Sequence, residues 1–168
     1  MIQATLKTDF EAFINTAANQ IDISGNTPPT IEPHNMIYYM AKFTNDMSGD
    51  IVYCYPKPQI VTPRYSKFNF KYVLAPDMFQ GELNLKLAGY WHYEFYEVDY
   101  AEKPSDNLNG ENSPACELVS CVLDAAPDHG IVTGLVAIGK MYVAEKTEEV
   151  QYDEYIAPTN TNYIYQGT

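Results

Sequence analysis

Hydrophobic and polar residues alternate along much of the first hundred positions. In residues 67–72 (KFNFKY) aromatic residues stand at even positions with polar residues between them, and in 83–87 (LNLKL) leucine alternates with Asn and Lys. In 91–95 (WHYEF) the odd positions are aromatic, and 37–43 and 51–55 are rich in Tyr, Ile and Val. Successive side chains of a β-strand point to opposite faces, so this period of two predicts five half-buried strands.

The inward phase of these strands predicts the core. Its members are Phe68, Phe70, Leu83, Leu85, Leu87, Trp91, Tyr93 and Phe95. Tyr90, Tyr96 and Tyr100 fall on the opposite, outward phase. Because Trp91 is on the inward phase, core packing is favoured over stacking of its ring on a sugar.

Turn-forming residues separate the predicted strands. Residues 44–50 (TNDMSGD) have the composition of a hairpin loop, and three prolines in 56–63 space two strands and protect an edge. A β pattern resumes over 131–143, where two glycines indicate bends or a bulge. Short strands with polar turns predict an all-β sandwich, with its body over residues 36–145.

The pattern breaks between residues 99 and 115. This stretch is rich in Asn, Pro and Gly and has no periodic apolar run, so we predict a long exposed loop. Loops of this length are uncommon in compact domains unless they are functional or disordered. The apolar residues 116–123 that follow fit either a strand or a short helix.

Residues 1–35 are predicted to form an N-terminal arm and linker. Thr8 and Glu11 have the spacing of a capping box, and apolar residues of 8–21 then fall on one helical face, which predicts a short helix. A strand is the alternative, because apolar and polar residues alternate just before this segment. Residues 24–33, rich in Pro, Asn and Thr, are the linker.

Tyrosine dominates the C-terminal residues 146–168, which contain few aliphatic side chains. Two interpretations are open: an arm that docks on a neighbouring subunit, and a tail folded back as an extra strand of its own sandwich. On the first interpretation, the candidate interface residues are Tyr90, Tyr96, Tyr152, Tyr155, Tyr163 and Tyr165.

Charge narrows the classes of function. The formal net charge is −12, and residues 94–168 hold 14 acids and 3 bases, a balance of −11. A nucleic-acid partner is excluded, because phosphate binding needs clustered Lys and Arg. No apolar run approaches the roughly 20 residues of a membrane span, and the first residues lack the features of a secretory signal. We therefore expect cytoplasmic folding without a membrane partner.

The three cysteines are Cys54, Cys116 and Cys121, an odd number without a CxxC pair. They predict neither a disulfide framework nor a zinc site. The spacing of Cys116 and Cys121 permits a bridge, but cytoplasmic folding favours reduced, mostly buried thiols.

Motifs of catalysis and metal binding are absent from the sequence. The three histidines are isolated, and no HExxH, GxSxG, P-loop or EF-hand pattern occurs. The acids and histidine of 124–129 and the acids of 145–154 lack a closed ligand set, so a turn and a solvated charge run are the better interpretations. We predict a non-enzymatic protein with no cofactor and no metal.

Six short motifs lie in patches between residues 36 and 165. They are KFTND at 42–46, DIVY at 50–53, RYSKF at 64–68, GYWHYEFYE at 89–97, GKMYV at 139–143 and EEVQY at 148–152. In these motifs the chain resembles small structural virion proteins of tailed bacteriophages that infect Bacteroidetes, including the crAss-like phages of the gut.

The resemblance implies an immunoglobulin-like antiparallel β-sandwich with irregular N- and C-terminal extensions. It implies an auxiliary or decoration protein on the capsid surface, assembled in the host cytoplasm in many copies beside the major capsid protein or other virion subunits. Head-fibre, neck and tail components remain alternatives. A further alternative is an accessory sandwich that binds host glycans, which requires coplanar exposed aromatic rings beside polar side chains.

Overall fold

A computed structural model describes residues 1–16, 36–61, 65–100, 107–121, 126 and 128–146. Its strands are β1 (Ile2–Thr5), β2 (Phe10–Ile14), β3 (Met36–Asn45), β4 (Ile51–Cys54), β5 (Lys57–Val61), β6 (Ser66–Tyr72), β7 (Glu82–Leu83), β8 (Gly89–Tyr100) and β9 (Ile131–Ala144). Short 3₁₀ turns form at Met78–Gln80 and Val119–Cys121. No α-helix occurs within the described ranges.

The strands form two sheets that enclose a shared core. One sheet has the order β1-β9-β8-β3-β4, and the other has the order β2-β6-β5 with β7 beside β6. Strands β3, β8 and β9 correspond to C, F and G of an immunoglobulin domain, and β2, β6 and β5 correspond to B, E and D. The predicted all-β sandwich is therefore confirmed. The sheets are mixed rather than purely antiparallel, because β1 pairs in parallel with β9 and β7 in parallel with β6.

Aromatic rings fill the space between the sheets. Phe68 and Phe70 of β6 lie 5.2 and 6.3 Å from Phe95 of β8 between ring centroids. Phe10 of β2 stacks on Phe70 at 4.7 Å, and Trp91 of β8 is only 1% exposed. Burial of such large apolar surfaces is the main stabilising contribution to a domain of this size.

Most of the predicted core residues are inside the sandwich. Phe68, Phe70, Leu83, Leu85, Trp91 and Phe95 are buried, and Tyr93 packs partly buried against them. The prediction for Leu87 is wrong, because its side chain is 42% exposed. Of the strand predicted over 83–87, only Leu83 lies in a strand, the two-residue β7. The chain has left the sheet before Leu87, so alternation no longer determines which face its side chain takes.

The N-terminal segment differs most from its prediction. Residues Phe10–Ile14 form β2 and pair with β6 rather than starting a helix. Along β2 buried and exposed side chains alternate, so pairing with a neighbouring strand overrides the capping-box signal. Strands β1 and β2 belong to the sandwich body and not to an arm. The linker at 24–33 lies outside the described residues.

The other strand predictions agree with β3, β4, β6 and β9 to within two residues at their ends, and the strand predicted at 91–95 lies inside the longer β8. Strand β5 was not predicted, since prolines flank and interrupt it. It lies at the edge of its sheet, where a missing N–H is tolerated, and its register with β6 shifts between Pro58 and Ile60. The register of β8 with β9 also shifts twice, so the bulge predicted in β9 is present.

Candidate protein-binding surface

The five-stranded sheet has one face in the core and one face on the outside of the sandwich. Residues 107–121, from the connection between β8 and β9, lie over part of the outer face. We call this part the covered half; its buried residues are Met40, Tyr55, Val98 and Tyr100. We call the remainder the open half; its residues are Tyr90, His92, Ile138, Lys140 and Tyr142.

Two tyrosine hydroxyls hold the cover on the sheet. Tyr100 donates to Ser113 Oγ at 2.7 Å, and Tyr55 donates to the carbonyl of Pro114 at 2.7 Å. Both rings are buried, so each hydroxyl requires a partner and the cover supplies it. The covered half is therefore a second, smaller apolar core.

The prediction of a loop over 99–115 holds for the described residues 107–115, but the prediction that the whole stretch is an exposed loop is wrong. The first two of these residues belong to β8, and Asn112, Ser113 and Pro114 are buried. The polar side chains tolerate burial because they bond one another, as Ser113 Oγ does in donating to Asn112 Oδ1 at 2.7 Å. Tyr100, predicted on the outward phase, has no exposed surface because this cover lies on it.

A cluster of charges joins the cover to the sheet beside the covered half. Lys42 Nζ lies 2.5 Å from Glu117 Oε1 and 3.0 Å from Glu94 Oε2, and Tyr53 donates to Glu117 Oε2 at 2.6 Å. Burial alone would lower the pKa of Lys42, but the hydrogen bonds to both carboxylates raise it above its usual value. Burial disfavours the charged form of Glu117, yet Lys42 and Tyr53 hold its pKa below the usual value.

Glu117 lies on a loop closed by a disulfide between Cys116 and Cys121. The expectation of three reduced thiols is therefore wrong, and Cys54 is the free, buried one. The 3₁₀ turn at Val119–Cys121 bends the chain so that the two Cα atoms lie 5.5 Å apart, a distance that suits a disulfide. The expected compartment favours reduced thiols, but the local turn brings these two side chains close enough to form a disulfide.

The open half combines exposed aromatic and aliphatic side chains with a charged group. Tyr90, 57% exposed, faces Tyr142 across β8 and β9, with ring centroids 5.2 Å apart, and Ile138 is exposed further along β9. Beside them, Asp46 accepts from Lys140 Nζ at 2.7 Å and lies 3.1 Å from His92 Nδ1. Exposed tyrosine beside aliphatic and charged side chains is typical of protein–protein interfaces.

The predicted interface residues have different positions. Tyr90 lies in the open half, whereas Tyr96 is half-buried and burial raises its pKa to about 12. Tyr152, Tyr155, Tyr163 and Tyr165 lie outside the described residues.

Among the residues that the structure describes, the aromatic rings of the outer face do not form the arrangement expected of a glycan site. The rings of Tyr90 and Tyr142 are inclined at 54° and are not coplanar, while Tyr100 and Trp91 are buried. The described part of the outer face therefore lacks the ring geometry that the glycan alternative requires.

The tyrosines around the cover should make the stability of the fold sensitive to alkaline pH. Burial raises the pKa of Tyr53, Tyr96 and Tyr100 from 10.0 to about 12. A group whose pKa is higher in the folded state contributes stability that is complete below its unfolded pKa and is lost as the pH rises through its folded pKa. We expect the fold to lose stability between pH 10 and about 12.

Circular dichroism and tyrosinate absorbance, recorded together in an alkaline titration, test this expectation. Part of the tyrosinate signal should appear only as the β-sheet signal is lost. Complete ionisation of all tyrosines near pH 10, with the fold intact, would contradict it.

Within the described ranges, no three His, Cys, Asp or Glu side chains come together as a metal site. The same part of the chain has no helix long and apolar enough to span a membrane. Comparison of the chain with models of protein families, with curated proteins and with solved structures finds no match.

Proposed function

We propose that this protein is a non-enzymatic protein-binding subunit of a virion, an auxiliary protein that docks on the capsid surface through the open half. The observation that carries the proposal is the exposed tyrosine pair, Tyr90 and Tyr142, on two paired strands of the sandwich. Tyrosine offers a large contact area with few rotatable bonds, so it loses little conformational entropy when a partner covers it.

The structure of the sheet suits this role. Strands β8 and β9 pair along most of their length, and β3 and β1 flank them on either side. The side chains of the open half therefore stand on a rigid support, which limits the entropy lost on binding.

The virion context comes from the resemblance to phage structural proteins. Two of the motifs that carry it, GYWHYEFYE at 89–97 and GKMYV at 139–143, lie on β8 and β9, the strands that present the open half. The excess of acidic residues in 94–168 suits a basic surface on a capsid shell and is unsuited to packaged DNA.

Co-sedimentation with purified empty capsids of a crAss-like phage tests the proposal. Saturable, near-stoichiometric binding of the protein is expected. The double variant Tyr90→Ala/Ile138→Ala should bind about 30-fold more weakly, because both changes remove exposed contact area without touching the core.

Phe13→Ala is the matched control, since Phe13 is an exposed aromatic residue on β2 of the opposite sheet. We expect this variant to bind like the unchanged protein. Equal weakening by both variants would contradict the assignment to the open half, and failure of the unchanged protein to bind capsids would contradict the capsid role.

A further inference from the structure

The disulfide-closed loop 116–121 presents two aliphatic side chains to solvent. Leu118 is 59% exposed and Val119 is 89% exposed, although most large apolar side chains of the described chain are buried or half-buried. We call the loop with these two side chains the apolar knob.

Three interactions hold the apolar knob in one conformation. The disulfide joins its ends, and the backbone N–H of Cys121 donates to the carbonyl of Leu118 at 2.9 Å. The carboxylate of Glu117 binds Lys42 and Tyr53 on the sheet. Little further conformational entropy is lost when such a loop enters a pocket, so exposed apolar side chains on it are efficient anchors.

We propose that the apolar knob inserts into an apolar pocket, ringed by basic side chains, on the protein partner. This inference rests on the proposed function, because it describes how the same partner is held. The basic rim is inferred from charge: the chain has a formal net charge of −12, and residues 107–121 contain no Lys or Arg, with Glu111 as their acid besides Glu117, which is already paired with Lys42. The same charge repels the anionic surface of a membrane, which favours a protein pocket over lipid.

The apolar knob and the open half are positioned to engage one partner. Glu117 binds Lys42, Lys42 pairs with Glu94 on β8, and Glu94 is the register partner of Ile138 on β9. The knob is thus anchored on the row of the sheet that leads directly to the open half. A partner that contacts Ile138 therefore lies on the same row of the sheet that anchors the knob.

Binding of purified empty capsids is the test, with Leu118→Ser/Val119→Ser as the main variant. We expect binding about 30-fold weaker, as for loss of an interface hot spot. Leu74→Ser is the matched control, because Leu74 is 79% exposed between β6 of the other sheet and the 3₁₀ turn at Met78–Gln80. This variant should bind within about twofold of the unchanged protein, because residues outside an interface hot spot contribute little to the binding energy.

Two further measurements test separately how much the fixed conformation of the loop and the charge of the protein contribute to binding. Cys116→Ser/Cys121→Ser keeps both aliphatic side chains and should bind about 10-fold more weakly, because the free loop must be ordered on binding. Raising NaCl from about 0.1 to about 1 M should weaken binding, because it shortens the Debye length from about 10 to about 3 Å.

The outcomes distinguish this inference from the proposed function. If Leu118→Ser/Val119→Ser binds fully while Tyr90→Ala/Ile138→Ala binds weakly, the inference that the apolar knob inserts into the partner is overturned. Docking through the open half is then supported. Binding that does not respond to salt overturns the basic rim. Failure of the unchanged protein to bind capsids overturns both the proposed function and this inference.

Discussion

Replacing Trp91 with alanine is expected to lower the free energy of unfolding by about 3–5 kcal/mol. The indole is almost completely buried between the two sheets, and its Nε1 donates to the carbonyl of Leu87 at 3.1 Å. The substitution leaves a large cavity in a close-packed core and removes this hydrogen bond. Urea unfolding, followed by circular dichroism, measures the loss.

Tyr90→Ala is the matched control for this prediction. Tyr90 is the preceding residue on β8, also aromatic, but it points to the open half. We expect its unfolding free energy to change by no more than about 1 kcal/mol, because exposed substitutions are usually small in effect. Similar losses for the two variants would mean that the inward and outward phases of β8 are not as described.

Lys42→Met is expected to lower the free energy of unfolding by about 2–4 kcal/mol. The substitution keeps the apolar stem of the side chain but removes the charge that lies between Glu94 and Glu117. All three side chains are less than one fifth exposed, so the two carboxylates would be left close together with little solvation. Urea unfolding at neutral pH measures the effect.

A second substitution shows whether charge is the cause. In Lys42→Met/Glu117→Gln one of the two uncompensated carboxylates is removed, and the Gln side chain can still accept from Tyr53. We expect about half of the lost stability to return, as coupling between residues in direct contact predicts. The single variant Glu117→Gln is measured as well. If the double variant loses as much unfolding free energy as the two single variants together, the cluster does not act through the charge of Lys42.

The strands were predictable where one face of the strand is in the core and the other in solvent. Residues 67–72 and 91–95 alternate strictly, and they lie in β6 and β8, where this condition holds. In the described part of 8–21 the strand alternative is present as β2 and the helix is not, because Thr8 and Glu11 give only a local signal, whereas β2 is stabilised by pairing with β6, more than fifty residues away. Local patterns do not report such pairing.

The candidate site was predictable only in part. The phase of β8 assigns Tyr90 to the outward face correctly, but phase alone does not reveal that a later segment lies on that face. Burial of Tyr100 depends on Ser113, and burial of Tyr55 depends on Pro114, and no periodic pattern marks either contact. The pairing of Cys116 with Cys121 likewise depends on a turn that the residue spacing alone does not specify.

The parallel pairing of β1 with β9 has a consequence for how the protein is made. Ile2 of β1 has Met141 of β9 as its register partner, so β1 leaves the ribosome long before β9 and waits unpaired while the intervening strands are synthesised. Contacts this distant in sequence raise the contact order, which slows folding. The five-stranded sheet cannot close until β9 has been synthesised, and any chain that stops before β9 exposes unpaired edges of β1 and β8 to other nascent chains.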